Sequence, residues 1–207
     1  MAIEKDFFRQ VMGRFATGVT IVTTQCQGKI SGLTVNAFCS VSLHPPLVLV
    51  CIEQNSHSLP IMREGKNFAV NILTQEQKSL STGFATPSVE RFEHFCYAEY
   101  RTVATGAPIL KDTLAFVDTR IVAEYPGGDH IIFLGQVEAM GIQDHIVFAD
   151  DSLQEKVSTL SFNHHYTQEE SLPLLFYKGQ YRQMAEALQK PGVPSAALPT
   201  TAHEQTD

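Results

Sequence analysis

The sequence predicts a mainly β protein with flanking helices, arranged as a closed β-barrel rather than as a layered α/β fold. Short runs of β-branched and apolar residues recur along the chain, and clusters of Gly, Pro, Asn and Ser separate them. Helical periodicity is confined to a few short stretches. Many short strands with frequent turns are typical of barrels. With 207 residues, of which 43% are hydrophobic, the chain can bury one sizeable core.

The N-terminal segment predicts a helix followed by a β-hairpin. Asp6 is a suitable helix cap, and the helix is expected to end at residues 16–18. The β-branched run at residues 19–24 predicts a strand, and a polar turn around Gly28 leads into a second strand. Apolar residues recur along one face of the helix, and we expect this face to pack on the core. They are Phe7, Phe8, Val11, Met12 and Phe15.

Residues 32–42 are the stretch on which the predicted site depends. In an extended chain Thr34, Asn36, Ser40 and Ser42 share one face, because alternate side chains of a strand point the same way. The opposite face is apolar. Such a strand can line a core on one side and a polar ligand on the other. A solvated edge strand explains the same pattern, and the pattern alone favours that simpler interpretation.

The next segment predicts a strand, a polar loop and a short helix. An apolar run at residues 47–52 precedes the polar residues 53–58 and a helix at residues 59–63. Asn55 or Ser56 is the expected N-cap. A helix start with free N–H groups and hydroxyls is able to bind an anion, although simple capping explains the same residues.

The second half of the chain predicts a long hairpin. Strands are expected at residues 113–124 and 130–140, and the residues between them, with two glycines and a proline, are a strong turn signal. His130 then lies at the mouth of the hairpin, where a merely solvated histidine is the simple alternative. A strand at residues 68–73 and a helix at residues 75–84 precede the hairpin, together with a less regular strand at 95–100.

A single domain is predicted at residues 1–183, ending in a strand at residues 172–177. Residues 142–171 form a long, acidic insertion or connection, of a length that is often functional or interfacial, with a helix near residues 152–160. Residues 184–207 are rich in Pro, Ala and Thr and are expected to be a disordered tail.

Composition and motifs exclude several classes of function. The net charge of −7 argues against a nucleic-acid surface, and no apolar run has the length of a membrane helix. The N-terminus lacks a signal-peptide core, so a cytoplasmic protein is expected. The four cysteines form no C-x-x-C pair and the histidines are scattered, so we expect reduced thiols and no metal site. The common nucleotide-binding and hydrolase motifs are absent.

Nine short sequence motifs occur along the chain in a specific order and spacing, although each motif alone is weak evidence for a family. They are FATGVTIVTT at residues 15–24, GLTVNAFCSVS at 32–42, PPLV at 45–48, FAVNIL at 68–73, Leu80-Ser81-x-x-Phe84, Arg91-Phe92, GAP at 106–108, GDH at 128–130 and PLLFY at 173–177. Together they resemble the short-chain NAD(P)H:flavin oxidoreductase family, also called flavin reductase-like. The resemblance covers roughly residues 7–181.

The resemblance implies an FMN-binding split β-barrel, Greek-key-like and homodimeric, which binds FMN or FAD and reduces it with NADH or NADPH. Residues 34–37 are implied to lie against the isoalloxazine ring, and the loop at residues 51–58 near the ribityl phosphate. Hydride passes directly from nicotinamide C4 to flavin N5, so no acid–base residue is required. The implied catalytic residue is His130, which positions the nicotinamide.

The residues implied to bind each nucleotide form two sets. The flavin set is Thr34, Val35, Asn36, Ala37, Ser40, Cys51, Asn55, Ser56, Ser58, Ser81, Phe84 and Arg91. The nicotinamide set is Gly128, Asp129 and His130.

The function implied is an NAD(P)H-dependent flavin reductase that supplies reduced flavin to a separate monooxygenase. Two alternatives stay open: an oxidoreductase that keeps FMN bound and passes electrons to another acceptor, and a flavin-binding protein without enzymatic activity. The sequence does not choose between FMN and FAD or between NADH and NADPH.

Overall fold

The computed structural model describes residues 3–86, 95, 98–142, 145–149 and 171–184. Three helices lie within these residues: α1 (Lys5–Met12), α2 (Ser58–Gly65) and α3 (Lys78–Ala85), the last preceded by a 3-10 turn at Gln75–Gln77. The strands are β1 (Thr17–Gly18), β2 (Thr20–Cys26), β3 (Lys29–Val35), β4 (Phe38–Leu43), β5 (Pro46–Glu53), β6 (Asn67–Ile72), β7 (Tyr100–Thr102), β8 (Pro108–Leu110), β9 (Ala115–Gly127), β10 (His130–Ile142), β11 (His145–Phe148), β12 (Leu175–Tyr177) and β13 (Gln180–Arg182).

The main sheet is antiparallel and curled. Its strand order is β3-β2-β6-β9-β10-β5-β4, and β11 adds to β10. The edge strands β3 and β4 are neighbours in the chain, joined only by Asn36 and Ala37. Because two residues span only a few ångströms, the two edges of the sheet must meet there. The prediction of a mainly β fold with flanking helices is confirmed.

Both predicted hairpins are present. The β2–β3 pair turns at Gln27 and Gly28, and the β9–β10 pair turns at Gly128 and Asp129. Gly28 and Gly128 have φ angles of 79° and 74°, which glycine adopts without steric cost. The second hairpin places His130 directly after its turn, as predicted.

Of the three apolar clusters among the described residues, two hold the sheet together with the elements that form the site. Phe68 and Phe133 lie in the cluster enclosed by the curled sheet, and both are fully buried. Phe84 of α3 lies in a second cluster with Ile21 and Leu174, which attaches α3 and the C-terminal strands to the sheet. Truncating a buried phenylalanine of this kind to alanine typically costs about 3–5 kcal/mol.

The prediction that the apolar face of the first helix packs on the core is wrong. None of the residues of α1 is buried, and Phe7, Phe8, Val11 and Met12 are each more than half exposed. The helical spacing alone cannot show what covers a face, and no described element of this chain covers it. The helix also ends at Met12, earlier than expected.

Other elements differ from the predictions in local detail. The stretch at residues 32–42 is split into β3 and β4 by a break at Asn36 and Ala37, so its even-numbered side chains do not share one face. A strand was predicted from residue 95 to residue 100, but Phe95 is helical. Of the predicted strand, only Tyr100 lies in β7. The predicted helix near residues 152–160 and the tail lie outside the described residues.

Candidate functional site

A cavity of about 530 Å³ opens where the edges of the sheet meet. Its walls come from the end of β3 and the following break, from the loop between β5 and α2, from α3, and from the C-terminal strands. This volume lies in the range of small-molecule sites. Most of the sequence-predicted site residues line this cavity: Thr34, Val35, Asn36, Ala37, Cys51, Asn55, Ser56, Phe84 and His130.

One wall of the cavity, which we call the floor, consists of Thr34, Val35, Phe84, Phe176 and Tyr181. The Thr34 hydroxyl donates to the Ser81 carbonyl oxygen over 2.6 Å, and the hydroxyls of Ser81 and Tyr181 are 2.9 Å apart. These bonds join β3, α3 and β13, which are distant in the chain. The floor is therefore fixed by contacts between elements.

A second group of lining residues, which we call the rim, consists of Glu53, Asn55, Ser56, His57 and His130. Most of these side chains are exposed, and they project from the loop after β5 and from the start of β10. The register of the two strands places His130 opposite Glu53. This part of the lining is therefore polar.

The first backbone N–H groups of α2 are already hydrogen-bonded within the chain. The N–H of Ser58 donates to the Ser56 hydroxyl over 3.3 Å, and the N–H of Leu59 donates to the Ser56 carbonyl over 3.1 Å. Pro60 has no N–H. The helix begins after His57 rather than after Asn55 or Ser56, the two predicted caps. Any anion bound here would therefore depend on loop side chains more than on free backbone N–H groups.

The His130 imidazole is held by its neighbour in the turn. Its Nδ1 donates to Asp129 Oδ1 over 2.7 Å, although the Asp129 side chain is 90% exposed. This hydrogen bond, with the histidine charge as a second cause, lowers the pKa of Asp129 below its ordinary value of 3.8. Asp129 therefore stays ionised at neutral pH and orients the imidazole ring.

Cys51 lies in the wall between this cavity and an apolar groove of about 1030 Å³. The groove lies under α1 and shares Asn36, Ala37, Cys51 and Phe176 with the cavity. Partial burial, followed by the nearby thiol of Cys39, raises the pKa of the Cys51 thiol. Cys51 is thus a neutral thiol at neutral pH, and it is free of any disulfide.

Several predicted site residues do not line the cavity. Ser40 is exposed on β4, and Ser58 is buried with its hydroxyl 2.8 Å from that of Ser31. Ser81 is fully buried behind the floor, where it links Thr34 and Tyr181. Gly128 and Asp129 adjoin His130 but contribute no wall. Arg91 lies outside the described residues.

Sequence reasoning missed seven lining residues: Val19, Leu33, Glu53, His57, Ala85, Phe176 and Tyr181. Phe176 and Tyr181 come from the C-terminal strands, more than one hundred residues from β3. Phe176 is part of the motif PLLFY at residues 173–177, so the resemblance to the family could have indicated that it lies near the site. No local pattern indicates that Tyr181 reaches Ser81.

The electrostatic character of the cavity is set by few charges. Its described lining residues include one carboxylate, Glu53, and two histidines, but no lysine or arginine.

Among the described residues there is also no group of three or more His, Cys, Asp or Glu side chains that could hold a metal ion. No helix in that part of the chain is long and apolar enough to cross a membrane.

Comparison with known proteins identifies the class to which this fold and cavity belong. Residues 12–185 match the flavin reductase like domain. The chain is 32% identical to the reductase subunit HsaB of a flavin-dependent monooxygenase from Mycobacterium tuberculosis, over 86% of this chain and 82% of that protein. It is 40% identical to a flavin reductase (NADH) from Kitasatospora aureofaciens, over 67% of this chain and 73% of that protein.

One solved structure is similar to this chain over most of the length of both proteins. The NADH:FAD oxidoreductase SgcE6 of Streptomyces globisporus C-1027, solved with NAD and FAD fragments, has a TM-score of 0.69 and is 30% identical, covering 88% of this chain and 93% of that chain. The present chain therefore belongs to the flavin reductase-like family. The family and the activity class predicted from the sequence, a flavin reductase, are confirmed.

Proposed function

We propose that this protein transfers a hydride from a nicotinamide nucleotide to FMN or FAD in the cavity between the floor and the rim, and that the reduced flavin serves a separate monooxygenase. The observation that carries the proposal is the convergence of residues 34–37, the loop after β5 and His130 around one cavity of about 530 Å³. These segments are far apart in the sequence. Together they offer apolar surface to the flavin ring and polar groups to its ribityl phosphate chain.

The lining residues fit a flavin. Leu33, Val35, Phe84 and Phe176 offer apolar surface for a ring, while Thr34 and Asn36 offer polar groups beside it. When bound, the flavin supplies the N5 atom that accepts hydride from nicotinamide C4. The protein's own contribution is to hold two rings in contact, exclude water and orient them. We assign to His130, whose Nδ1 bonds to Asp129, the positioning of the nicotinamide.

The described part of the rim offers a phosphate polar side chains rather than cations. Phosphate groups are bound most tightly by arginine and lysine side chains, and the described lining residues include neither. Asn55, Ser56 and His57 are the groups available to a phosphate. The Glu53 carboxylate also disfavours the additional phosphate of NADPH, so we propose NADH as the hydride donor. Either FMN or FAD is compatible with this arrangement.

We further propose that the curled sheet is a split β-barrel and that the protein acts as a homodimer in the cytoplasm. The apolar side chains of α1 are exposed, and the groove beneath α1 shares a wall with the cavity. Burial of such a face against a second copy would remove apolar area from water. Sedimentation of the purified protein as a monomer at micromolar concentration would contradict this arrangement.

One assay separates the candidate functions. NADH oxidation by the purified protein is measured with and without added FMN or FAD, after the colour of the protein has been recorded. A colourless protein that oxidises NADH only with added flavin is the expected result. A yellow protein that needs no added flavin indicates a retained cofactor, and the absence of NADH or NADPH oxidation in every condition rejects a reductase.

A further inference from the structure

Gln54 connects the two parts of the rim. Its side-chain Nε2 donates to the Gly128 carbonyl over 2.8 Å, and its backbone N–H donates to the Asp129 carbonyl over 3.0 Å. Gly128 and Asp129 are the turn residues that precede His130. On its other side Gln54 is followed by Asn55 and Ser56. Gln54 therefore bonds one half of the rim to the other, in addition to the strand pairing of Glu53 with His130.

Beyond the pairing of His130 with Gly127 on β9, which closes the hairpin, little side-chain packing holds the turn that precedes His130. A Cβ atom built on Gly128 would meet no atom within 4 Å, and the Asp129 side chain is 90% exposed. Packing therefore does not fix the position of this turn. The strand register ends at the pair of His130 with Glu53, so Gln54 provides the next contacts beyond the sheet.

We infer that Gln54 is a positioning residue: it fixes the turn before His130 relative to the loop that carries Asn55 and Ser56. Gln54 does not line the cavity, so it acts through His130. This inference rests on the proposed role of His130 at the nicotinamide. A neutral hydrogen bond of this kind has a net effect of about threefold to tenfold on an equilibrium constant.

The test replaces Gln54 with methionine, which keeps the length of the side chain and removes its N–H donor. We expect the KM for NADH to rise about threefold to tenfold, while the affinity for flavin, measured by fluorescence quenching, stays within about twofold. In a protein that already carries His130→Ala, the same change is expected to have no further effect on the KM for NADH, because the group being positioned is gone.

Gln27→Ala is the matched control. Gln27 is also an exposed glutamine whose amide donates to one acceptor, Glu64, over 3.1 Å, but it lies in the β2–β3 turn and does not line the cavity. Its kinetics are expected to equal those of the wild type. Thermal unfolding of all variants is measured to verify that the fold is intact.

The possible outcomes distinguish this inference from the proposal on which it rests. If His130→Ala raises the KM and Gln54→Met does not, the positioning role of Gln54 is overturned and His130 keeps its role. Additive effects in the double variant also overturn it, because Gln54 would then act independently of His130. An unchanged KM in His130→Ala rejects the role of His130 itself, and the inference about Gln54 falls with it.

Discussion

The floor of the cavity is buried or partly buried and is bonded between elements that are distant in the chain. The rim is more exposed, and its residues come from the paired ends of β5 and β10 and from the loop after β5. Thr34, Ser81 and Tyr181 join three elements of the floor through hydrogen bonds. The rim is joined by Gln54 and by the pair of Asp129 and His130. The proposed function divides the work between them: it assigns the flavin ring to the floor and the approaching nucleotide groups to the rim.

The largest expected effect comes from disturbing the floor at Gly32. A Cβ atom at this position would lie 2.8 Å from Phe84 and 3.0 Å from Phe95, so Gly32→Ala displaces ring atoms in a closely packed cluster. We expect a loss of about 2 kcal/mol in unfolding free energy and a weaker affinity for flavin, because Phe84 lines the cavity. Denaturant unfolding and flavin titration measure the two effects.

The control for this substitution is Gly18→Ala. Gly18 also lies in a strand, but a Cβ atom there would meet nothing within 4 Å. We expect its unfolding free energy to change by less than about 0.5 kcal/mol. Equal losses in the two variants would show that the crowding around Gly32 is not the cause.

The second prediction removes the main side chain of the rim. His130→Ala is expected to lower kcat/KM for NADH by about tenfold or more, about 1.4 kcal/mol, because the nicotinamide loses its positioning group. Flavin affinity should stay near that of the wild type, since the floor is unchanged. Stopped-flow reduction of the flavin measures the rate.

His145→Ala serves as the matched control, since His145 is an exposed histidine on β11 that does not line the cavity. Wild-type reduction kinetics in His130→Ala would remove His130 from the site. A flavin affinity that fell together with the rate would contradict the division between floor and rim.

The third prediction tests one bond of the floor. Tyr181→Phe removes the hydroxyl that lies 2.9 Å from the Ser81 hydroxyl and leaves the ring in the cavity wall. We expect a loss of about 1 kcal/mol in unfolding free energy, because a buried serine hydroxyl loses its partner. The edge contact of this ring with Phe176 is retained. Thermal and denaturant unfolding give the measurement.

Tyr177→Phe is the comparison variant, because Tyr177 lies in the same hairpin but does not line the cavity. Its stability is expected to match the wild type. If Tyr181→Phe is equally neutral, the bond to Ser81 does not contribute to the rigidity assigned to the floor.

The smallest expected effect concerns the phosphate end of the rim. Ser56→Ala is expected to weaken FMN binding about threefold and to leave riboflavin binding unchanged, because riboflavin has no phosphate. The Ser56 hydroxyl also accepts the N–H of Ser58, so some loss of stability accompanies the change. Fluorescence titration measures the affinities for FMN and for riboflavin, and their ratio cancels any effect of the lost stability on both. Equal weakening of both flavins would place the phosphate elsewhere.

Local patterns in the sequence predicted the elements that carry the site. The hairpin whose turn directly precedes His130 followed from a strong turn signal between two β-rich runs, and the structure confirms it. The resemblance to the family then brought residues 34–37, the loop after β5 and His130 into one predicted site, and they do line one cavity. Their roles in binding stay predictions that the variants above test.

The sequence by itself determined the main strands and the turns of the two hairpins, because alternation of side chains and turn chemistry act over a few residues. Only the tertiary structure decided which side chains reach the cavity. It placed Ser40 outside, Ser81 behind the floor and Tyr181 in the wall, and it left the apolar face of α1 exposed. These outcomes depend on strand pairing and packing between distant segments, which no local pattern contains.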